Sequence, residues 1–222
     1  MMTDSHARDR WDWEYTIHNG PPRPSLPIVD RVLEIAHPGE RILYVGIGDG
    51  RNFLPLIAAG LDVVGCELSR VAMDRLTAEH PGVANRAFLG SFEDVFSDQE
   101  HFDGVVISRV LVHGDLGRTA AQLNRVRDML RAGGFVATQW TAAGTDPWPG
   151  WTRAALDERA NVHLTYADDR VHKVYLSFAG CVELLESADY EIERGPIAVD
   201  LPRTAVPGGI VRDWITIARS KR

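Results

Sequence analysis

The chain has 222 residues, of which 45% are hydrophobic and 25% charged, and its formal net charge is −7. This length and composition predict one full α/β domain and leave no room for a second large one. The acidic balance argues against a broad phosphate-binding face, so we expect no nucleic-acid partner. Two lone cysteines, with no apolar leader and no membrane-length apolar run, favour a cytoplasmic protein without a membrane partner.

The N-terminal segment is dense in aromatic residues and is followed by a proline-rich turn at 19–24. Proline lacks the backbone N–H that a helix interior needs, so we predict an arm at 1–25 that lies outside the core. Residues 26–222 then form a single domain, which begins with a helix capped by Ser25. The candidate functional side chains of the arm are Trp11, Trp13, Tyr15 and His18.

A short apolar run at 42–45 breaks into glycines at every second position, Gly46, Gly48 and Gly50. This pattern predicts a strand, a tight turn and a helix, with backbone that a ligand can approach closely. The next apolar run ends on Glu67. An acid at the tip of the second strand can accept hydrogen bonds from both ribose hydroxyls. Glycine turn and acid together predict an adenosine-containing cofactor.

The glycine spacing is G-x-G-x-G, whereas the dinucleotide fingerprint would need a third glycine in place of Arg51. With Glu67, this spacing resembles the class I S-adenosylmethionine-dependent methyltransferases. The resemblance implies an α/β fold with a Rossmann-like, seven-stranded, mostly parallel sheet and a reversed last strand, and S-adenosyl-L-methionine as cofactor. One departure is Tyr44, which occupies the position of the usual acid that helps to hold the amino-acid end of the cofactor.

The resemblance also implies the cofactor contacts. At the turn after the third strand, the family places a polar or acidic side chain on the adenine amino group and the next backbone N–H on the ring. By position these are Ser91 and Phe92, with Glu93 as a substitute acid, and a solvated turn is the alternative. The implied cofactor-binding set is Tyr44, Gly46, Gly48, Gly50, Glu67, Leu68, Ser91, Phe92 and Ser108.

A fourth strand at 102–108 leads into a segment that should face the methyl group, since ligands bind near the switch in strand order, here expected between strands one and four. The shape Ser-x-x-Leu-x-His resembles small-molecule methyltransferases. His113 is therefore the candidate general base, because imidazole titrates near neutral pH. The alternative is a histidine hydrogen-bonded near the start of the next helix. The rival candidates for the base are Tyr15 and His18.

The irregular stretch at about 140–176 is predicted to be a cap insertion, with a helix at 153–160, that helps to wall the acceptor pocket. By resemblance, the arm at 1–25 is a lid over cofactor and acceptor; surface packing is the alternative. Aromatic faces attract a sulfonium and stack on planar acceptors. The candidate pocket residues are Trp11, Trp13, Arg109, Trp140, Trp148 and Trp151. A helix at 177–188 and a closing strand pair end the fold.

We therefore predict methyl transfer from S-adenosylmethionine to an oxygen, nitrogen or sulfur atom of a small-molecule acceptor, by a monomer or homodimer. Scattered histidines and the lack of paired cysteines predict that no metal takes part. One alternative is a non-catalytic S-adenosylmethionine-binding protein, which the change at Tyr44 favours. The other is an NAD(P)-dependent oxidoreductase, for which the third glycine is missing.

Overall fold

A computed structural model describes residues 4–17, 23–97, 99–147, 150–166, 172–203 and 208–221. The helices of these ranges are α1 (Asp4–Ile17), α2 (Ile28–Leu33), α3 (Phe53–Ala58), α4 (Arg70–Glu79), α5 (Phe92–Val95), α6 (Leu116–Asp128) and α7 (Phe178–Ser187). The strands are β1 (Arg41–Val45), β2 (Asp62–Glu67), β3 (Ala87–Leu89), β4 (Phe102–Ser108), β5 (Leu130–Thr141), β6 (Trp151–Leu156), β7 (Val162–Tyr166), β8 (His172–Tyr175), β9 (Tyr190–Pro202) and β10 (Ile210–Ser220). The chain divides into two compact units, Met1–Val106 and Ile107–Arg222.

Seven strands form one sheet in the order β3-β2-β1-β4-β5-β10-β9. β1, β2 and β3 pair in parallel, whereas β10 runs antiparallel to both β5 and β9. The strand order reverses between β1 and β4. The predicted seven-stranded, mostly parallel sheet with a reversed last strand is thus confirmed.

In the first unit, β1 and β2 pair with Tyr44 opposite Gly65. A Cβ at Gly65 would lie 2.8 Å from the Tyr44 carbonyl oxygen and would collide with Ile47, so only glycine fits there. Ser69 caps α4, as its side chain accepts a hydrogen bond from a backbone N–H. Fully buried side chains of this unit include Ile28, Ile42, Leu43, Phe53, Leu56 and Leu76.

The predicted cap at Ser25 is wrong. Helix α2 starts after Pro27, and no side chain caps it. The chain is held there differently, because the backbone N–H of Leu26 donates to Oδ1 of Asn52 at 2.7 Å. A side chain 26 residues further along the chain therefore replaces the local cap.

In the second unit, β5 pairs with β10, and helices α6 and α7 begin at side-chain caps. Asp115 accepts from the backbone N–H of Arg118, and Ser177 accepts from that of Gly180. The buried Tyr190 hydroxyl at the start of β9 donates to the Leu123 carbonyl of α6 at 3.1 Å. Fully buried side chains of this unit include Val126, Phe135, Val136, Trp140 and Leu185.

The stretch predicted as a cap insertion forms a separate antiparallel sheet, β6-β7-β8. The predicted helix at 153–160 is wrong, because β6 pairs with β7 in a register that places Leu156 opposite Val162. Asp157 shapes the connecting turn by accepting hydrogen bonds from the backbone N–H groups of Arg159 and Asn161, both at 2.9 Å. Turn chemistry and strand pairing override the local helix pattern here. In the ranges that the structure covers, no helix is both long and apolar enough to cross a bilayer.

Candidate active site

The three glycines after β1 all have left-handed backbone conformations. The φ angle is +74° at Gly46, +55° at Gly48 and +81° at Gly50. Residues with a side chain rarely adopt a positive φ, so the alternating glycines allow the tight turn between β1 and α3. The turn is also fixed to β2, because the backbone N–H of Gly46 donates to the Cys66 carbonyl at 2.9 Å.

Glu67 ends β2, and its carboxylate lies against the glycine turn. Oε2 accepts a hydrogen bond from the Gly48 N–H and Oε1 accepts one from the Ser69 N–H, both at 2.9 Å. The residue is only 7% exposed. Burial raises the pKa of Glu67, and the hydrogen bonds from Ser69 and Gly48 oppose that rise. Each carboxylate oxygen has a second lone pair, so Glu67 can accept further hydrogen bonds from a ligand.

Tyr44, at the position of the family's usual acid, lies in the core of the first unit. It is 1% exposed, and its hydroxyl accepts a hydrogen bond from Nδ2 of Asn52 at 2.8 Å. Asn52 in turn accepts from the backbone of Leu26. The Tyr44 ring packs edge-on against Phe53. Tyr44 therefore links β1 to the segment before α2, and its contact with a cofactor stays a prediction.

The predicted N-terminal arm contains helix α1, one face of which lies on the glycine turn. The Tyr15 hydroxyl occupies the space that a side chain at Gly48 would need. Burial raises the pKa of Tyr15, and the negative charges of Glu67 and Asp49 raise it further. A phenol with a raised pKa keeps its proton at neutral pH, so Tyr15 suits hydrogen-bond donation better than the predicted role of general base.

Asp12, on the same face of α1, binds the start of α4. Its Oδ1 accepts hydrogen bonds from Oγ of Ser69 at 2.6 Å and from the backbone N–H of Val71 at 3.1 Å. The guanidinium of Arg75 donates to the Tyr15 carbonyl at 3.0 Å. Neither Asp12 nor Arg75 was predicted from the sequence. The Asp-x-x-Tyr spacing was the available signal, because residues three apart share a helix face.

The turn after β3 is the N-terminus of the short helix α5. Ser91 caps it: Oγ accepts from the Asp94 backbone N–H at 3.2 Å and donates to the Asp94 carboxylate at 2.8 Å. Phe92 is buried and Glu93 is exposed, while Leu68 beside Glu67 is half-buried. The adenine contacts assigned to this turn stay predictions.

In the second unit, the residue after β4 has a backbone conformation unusual for a non-glycine, with φ +57° at Arg109. Its Nε and Nη2 both donate to Oδ2 of Asp213, at 2.8 and 2.6 Å. Gln139 donates to the same oxygen at 2.7 Å, and its carbonyl accepts from the Arg109 backbone N–H. Asp213 is fully buried. This cluster, which the sequence did not reveal, fixes Arg109 at the end of β4.

His113 lies two residues before Asp115, the cap of α6. Its backbone forms a β-bridge with Lys173, and the next N–H, of Gly114, donates to the His172 carbonyl at 2.9 Å. The backbone of His113 is therefore fixed against β8, while its side chain is half-buried. Its role as base stays a prediction.

The candidate acceptor-pocket tryptophans differ in burial. Trp140 is fully buried within β5, so its ring contributes to the core, whereas Trp13 on α1 is 57% exposed. Trp11 and Trp151 are half-buried. The hydroxyl of Ser108 is buried without a hydrogen-bond partner among the described residues. Trp148 and His18 lie outside the described residues.

A hydrogen-bonded chain of Asp157, His163 and His172 was also not predicted. Nε2 of His163 lies 2.9 Å from Oδ2 of Asp157, and Nδ1 lies 3.2 Å from Nε2 of His172. Burial by itself would raise the pKa of Asp157, but hydrogen bonds from His163 and Asn161 lower it to about 2. The chain ties the turn after β6 to β7 and β8. Over the described ranges, no three His, Cys, Asp or Glu side chains converge to hold a metal ion.

A G-x-G-x-G turn after β1, an acid at the end of β2 and this strand order together define the class I methyltransferase fold. Residues 42–134 match the family model described as a methyltransferase domain. The fold and the segment 42–134 are thus similar to those of the class I methyltransferases, whose cofactor is S-adenosylmethionine.

Curated relatives from Mycobacterium tuberculosis and Mycobacterium bovis, described as uncharacterized methyltransferases, are 32% identical over 133 residues. The match covers 59% of this chain and 51% of each relative, so the chain spans about half their length.

Solved structures share the fold at lower identity. The 1,6-didemethyltoxoflavin-N1-methyltransferase of Burkholderia thailandensis, solved with 1,6-didemethyltoxoflavin and S-adenosylhomocysteine, has a TM-score of 0.74 at 15% identity and covers 98% of this chain and 88% of its own. The magnesium protoporphyrin IX methyltransferase of Synechocystis, solved with S-adenosylhomocysteine, has a TM-score of 0.67 at 14% identity, with 99% and 100% covered. The [4+2]-cyclase SpnF has a TM-score of 0.58 at 16% identity, with 91% and 84% covered.

Proposed function

We propose that the protein transfers the methyl group of S-adenosylmethionine to an oxygen, nitrogen or sulfur atom of a small-molecule acceptor. The observation that carries the proposal is the buried Glu67 carboxylate, held by the Gly48 N–H beside a glycine turn, with lone pairs left for two ribose hydroxyls. The glycines supply close backbone approach for the rest of the cofactor. The other proposed cofactor contacts are Tyr44, Leu68, Ser91, Phe92 and Ser108.

Methyl transfer from a sulfonium is an in-line displacement. The protein needs chiefly to align acceptor and methyl group and to exclude water. A hydroxyl or protonated amine acceptor also has to lose a proton, for which His113 is the proposed base. A thiolate or a neutral amine acceptor needs no base.

Two observations support a small acceptor. Two proteins with a similar fold are named for 1,6-didemethyltoxoflavin and magnesium protoporphyrin IX, which are both small molecules. The net charge of −7 disfavours a polyanionic substrate such as nucleic acid. The monomeric or homodimeric state and the cytoplasmic location stay predictions from the sequence.

The test begins with calorimetry on the whole chain. We expect S-adenosylhomocysteine to bind with one site per chain and NAD to give no binding heat. A turnover assay then follows release of S-adenosylhomocysteine from S-adenosylmethionine over a panel of phenols, heteroaromatic nitrogens and thiols. Release that depends on one acceptor class supports the proposal, and a lack of binding by S-adenosylhomocysteine contradicts it.

The second candidate is a protein that binds S-adenosylmethionine without transferring its methyl group. Tyr44 favours it, because its hydroxyl is engaged by Asn52 and no carboxylate stands at that position. The [4+2]-cyclase SpnF has a similar fold, and a fold by itself does not determine the reaction. Binding of S-adenosylhomocysteine without turnover on any of the three acceptor classes would favour this candidate.

A further inference from the structure

Several polar groups of helix α1 contact the rest of the first unit. Two of its apolar side chains, Trp13 and Ile17, face solvent at 57% and 50% exposure. Asp12 and Tyr15 lie on the other side of the helix and contact the start of α4 and the glycine turn. These directional contacts join α1 to α4 and to the glycine turn.

Ser69 forms hydrogen bonds with two carboxylates, that of Asp12 on α1 and that of Glu67 at the proposed ribose site. Its backbone N–H donates to Glu67, and its hydroxyl donates to Asp12 at 2.6 Å. Ser69 is fully buried and is also the cap of α4, so it has little freedom to move. Loss of the Asp12 hydrogen bond therefore removes one of the contacts that hold Ser69, whose backbone N–H orients Glu67.

A second set of contacts also links Glu67 to α1. Glu67 accepts the Gly48 N–H, and the Tyr15 hydroxyl lies over Gly48 where a side chain would otherwise stand. Asp12 and Tyr15 belong to one helix, so the contacts close a ring from α1 through Ser69, Glu67 and Gly48 back to α1. Two members of the ring, Glu67 and Gly48, are among the proposed cofactor-binding residues.

We propose that Asp12 is a positioning residue that couples the docking of α1 to cofactor binding. This inference rests on the proposed function, in which Glu67 and Gly48 hold the cofactor. Asp12 itself does not contact the cofactor; it acts through Ser69 on Glu67 and sets the Tyr15 hydroxyl over the glycine turn. Coupling between two binding events is reciprocal, so bound cofactor also holds α1 in place.

The experiment compares Asp12→Ala with Asp9→Ala, the same substitution at an exposed position of the same helix. Coupling free energies commonly correspond to about 5- to 150-fold in affinity. We expect Asp12→Ala to weaken S-adenosylhomocysteine binding roughly tenfold, mainly through faster dissociation, and Asp9→Ala to stay within about twofold of wild type. Calorimetry gives the affinities and stopped-flow displacement gives the dissociation rates.

Limited trypsin digestion supplies a readout that a merely structural role would not change. Trypsin can cleave α1 after Arg8 and Arg10. We expect S-adenosylhomocysteine to slow that cleavage in wild type and in Asp9→Ala, and to slow it much less in Asp12→Ala. Wild-type protection and wild-type affinity in Asp12→Ala would overturn the inference, even if its melting temperature fell.

If Asp12→Ala does not fold, Asp12→Asn decides the matter, because it keeps the shape and loses the charge. Charge-assisted hydrogen bonds are about twice as strong as neutral ones, so we expect a roughly threefold loss of affinity with faster dissociation. An unchanged affinity and dissociation rate in Asp12→Asn would overturn the inference. Failure of wild type to bind S-adenosylhomocysteine is a distinct result, which contradicts the proposed function itself.

Discussion

Glu67 is almost completely buried, whereas its proposed ribose-binding role requires an ionised carboxylate that accepts both hydroxyls. Each hydrogen bond from a neutral donor to a charged carboxylate is worth about 1.5 to 3 kcal/mol. We expect Glu67→Ala to lower the affinity for S-adenosylhomocysteine at least tenfold, measured by calorimetry. Glu79→Ala, at an exposed position of α4, is the matched control. Unchanged affinity in Glu67→Ala would remove Glu67 from the site.

The raised pKa of Glu67 predicts a pH dependence of cofactor binding. Because its pKa in the folded protein lies above 4.5, Glu67 takes up a proton at a higher pH than an ordinary glutamate does. The protonated carboxyl accepts fewer hydrogen bonds, so affinity for S-adenosylhomocysteine should fall as pH decreases through the raised pKa. The stability of the folded protein depends on pH in the opposite direction. The stabilising contribution of Glu67 to the free energy of unfolding is present at low pH and is lost as pH rises through the raised pKa.

Calorimetric titrations of S-adenosylhomocysteine from about pH 8 down to about pH 5 measure this dependence. Glu67→Gln cannot titrate, so its weaker binding should vary much less over the same range. A wild-type profile as flat as that of Glu67→Gln would show that the ionisation of Glu67 does not control cofactor binding.

The β-bridge between His113 and Lys173 is made by the main chain, so it does not depend on the imidazole. With the acceptor that the turnover assay identifies, we expect His113→Ala to lower kcat by roughly 10² to 10⁴ if the acceptor must lose a proton. Affinity for S-adenosylhomocysteine should stay near wild type. The matched control is His101→Ala, at an exposed position just before β4. A kcat within about threefold of wild type would leave alignment of the reactants as the whole mechanism.

At the scale of elements, a buried ion pair joins the end of β4 to β10. Removal of Asp213 leaves the Arg109 guanidinium without its carboxylate in a largely buried position, and breaking such pairs commonly costs about 3 to 5 kcal/mol. We expect Asp213→Ala to lower the melting temperature by roughly 10 °C in a thermal scan.

Asp200→Ala is the matched control for that prediction, because Arg212 also donates two hydrogen bonds to Asp200, one to each carboxylate oxygen, at an exposed site, where ion pairs contribute little. Adding Arg109→Gly to Asp213→Ala should restore part of the loss, since glycine removes the unpaired charge and adopts positive φ freely. Equal effects of Asp213→Ala and Asp200→Ala would contradict the importance of burial.

The elements that the sequence predicts well carry their signal locally. β4 is predicted at 102–108, as found, because the apolar residues 105–107 mark it, and the helix predicted at 177–188 is found as α7 (Phe178–Ser187). The sheet at β6 to β8 was missed because its strands are short and become stable only by pairing with one another. In the site, Glu67 stands out at the end of an apolar run. Asp12 and Asp213 do not, because their partners lie 57 to 104 residues away in the chain.

For the whole molecule, a ligand that binds only the folded state raises its stability by mass action. At a ligand concentration about 100 times the dissociation constant, the gain is about 2.7 kcal/mol. For a chain of this size we expect S-adenosylhomocysteine to raise the melting temperature by roughly 5 to 10 °C, and NAD at the same concentration to leave it unchanged. Differential scanning fluorimetry measures both. A rise with NAD alone would return the oxidoreductase alternative to consideration.

The glycine at the centre of β2 bears on whether the proposed cofactor-binding turn can be transferred to another protein. Gly65 leaves a hole on β2 that Ile47 of the turn fills, and any side chain at 65 would push against Ile47 and the Tyr44 carbonyl. The five residues of G-x-G-x-G are therefore not self-sufficient, because their shape depends on a residue that lies outside the motif and contributes no side chain. A designer who grafts this turn onto another strand–helix scaffold would need to copy the hole together with the loop.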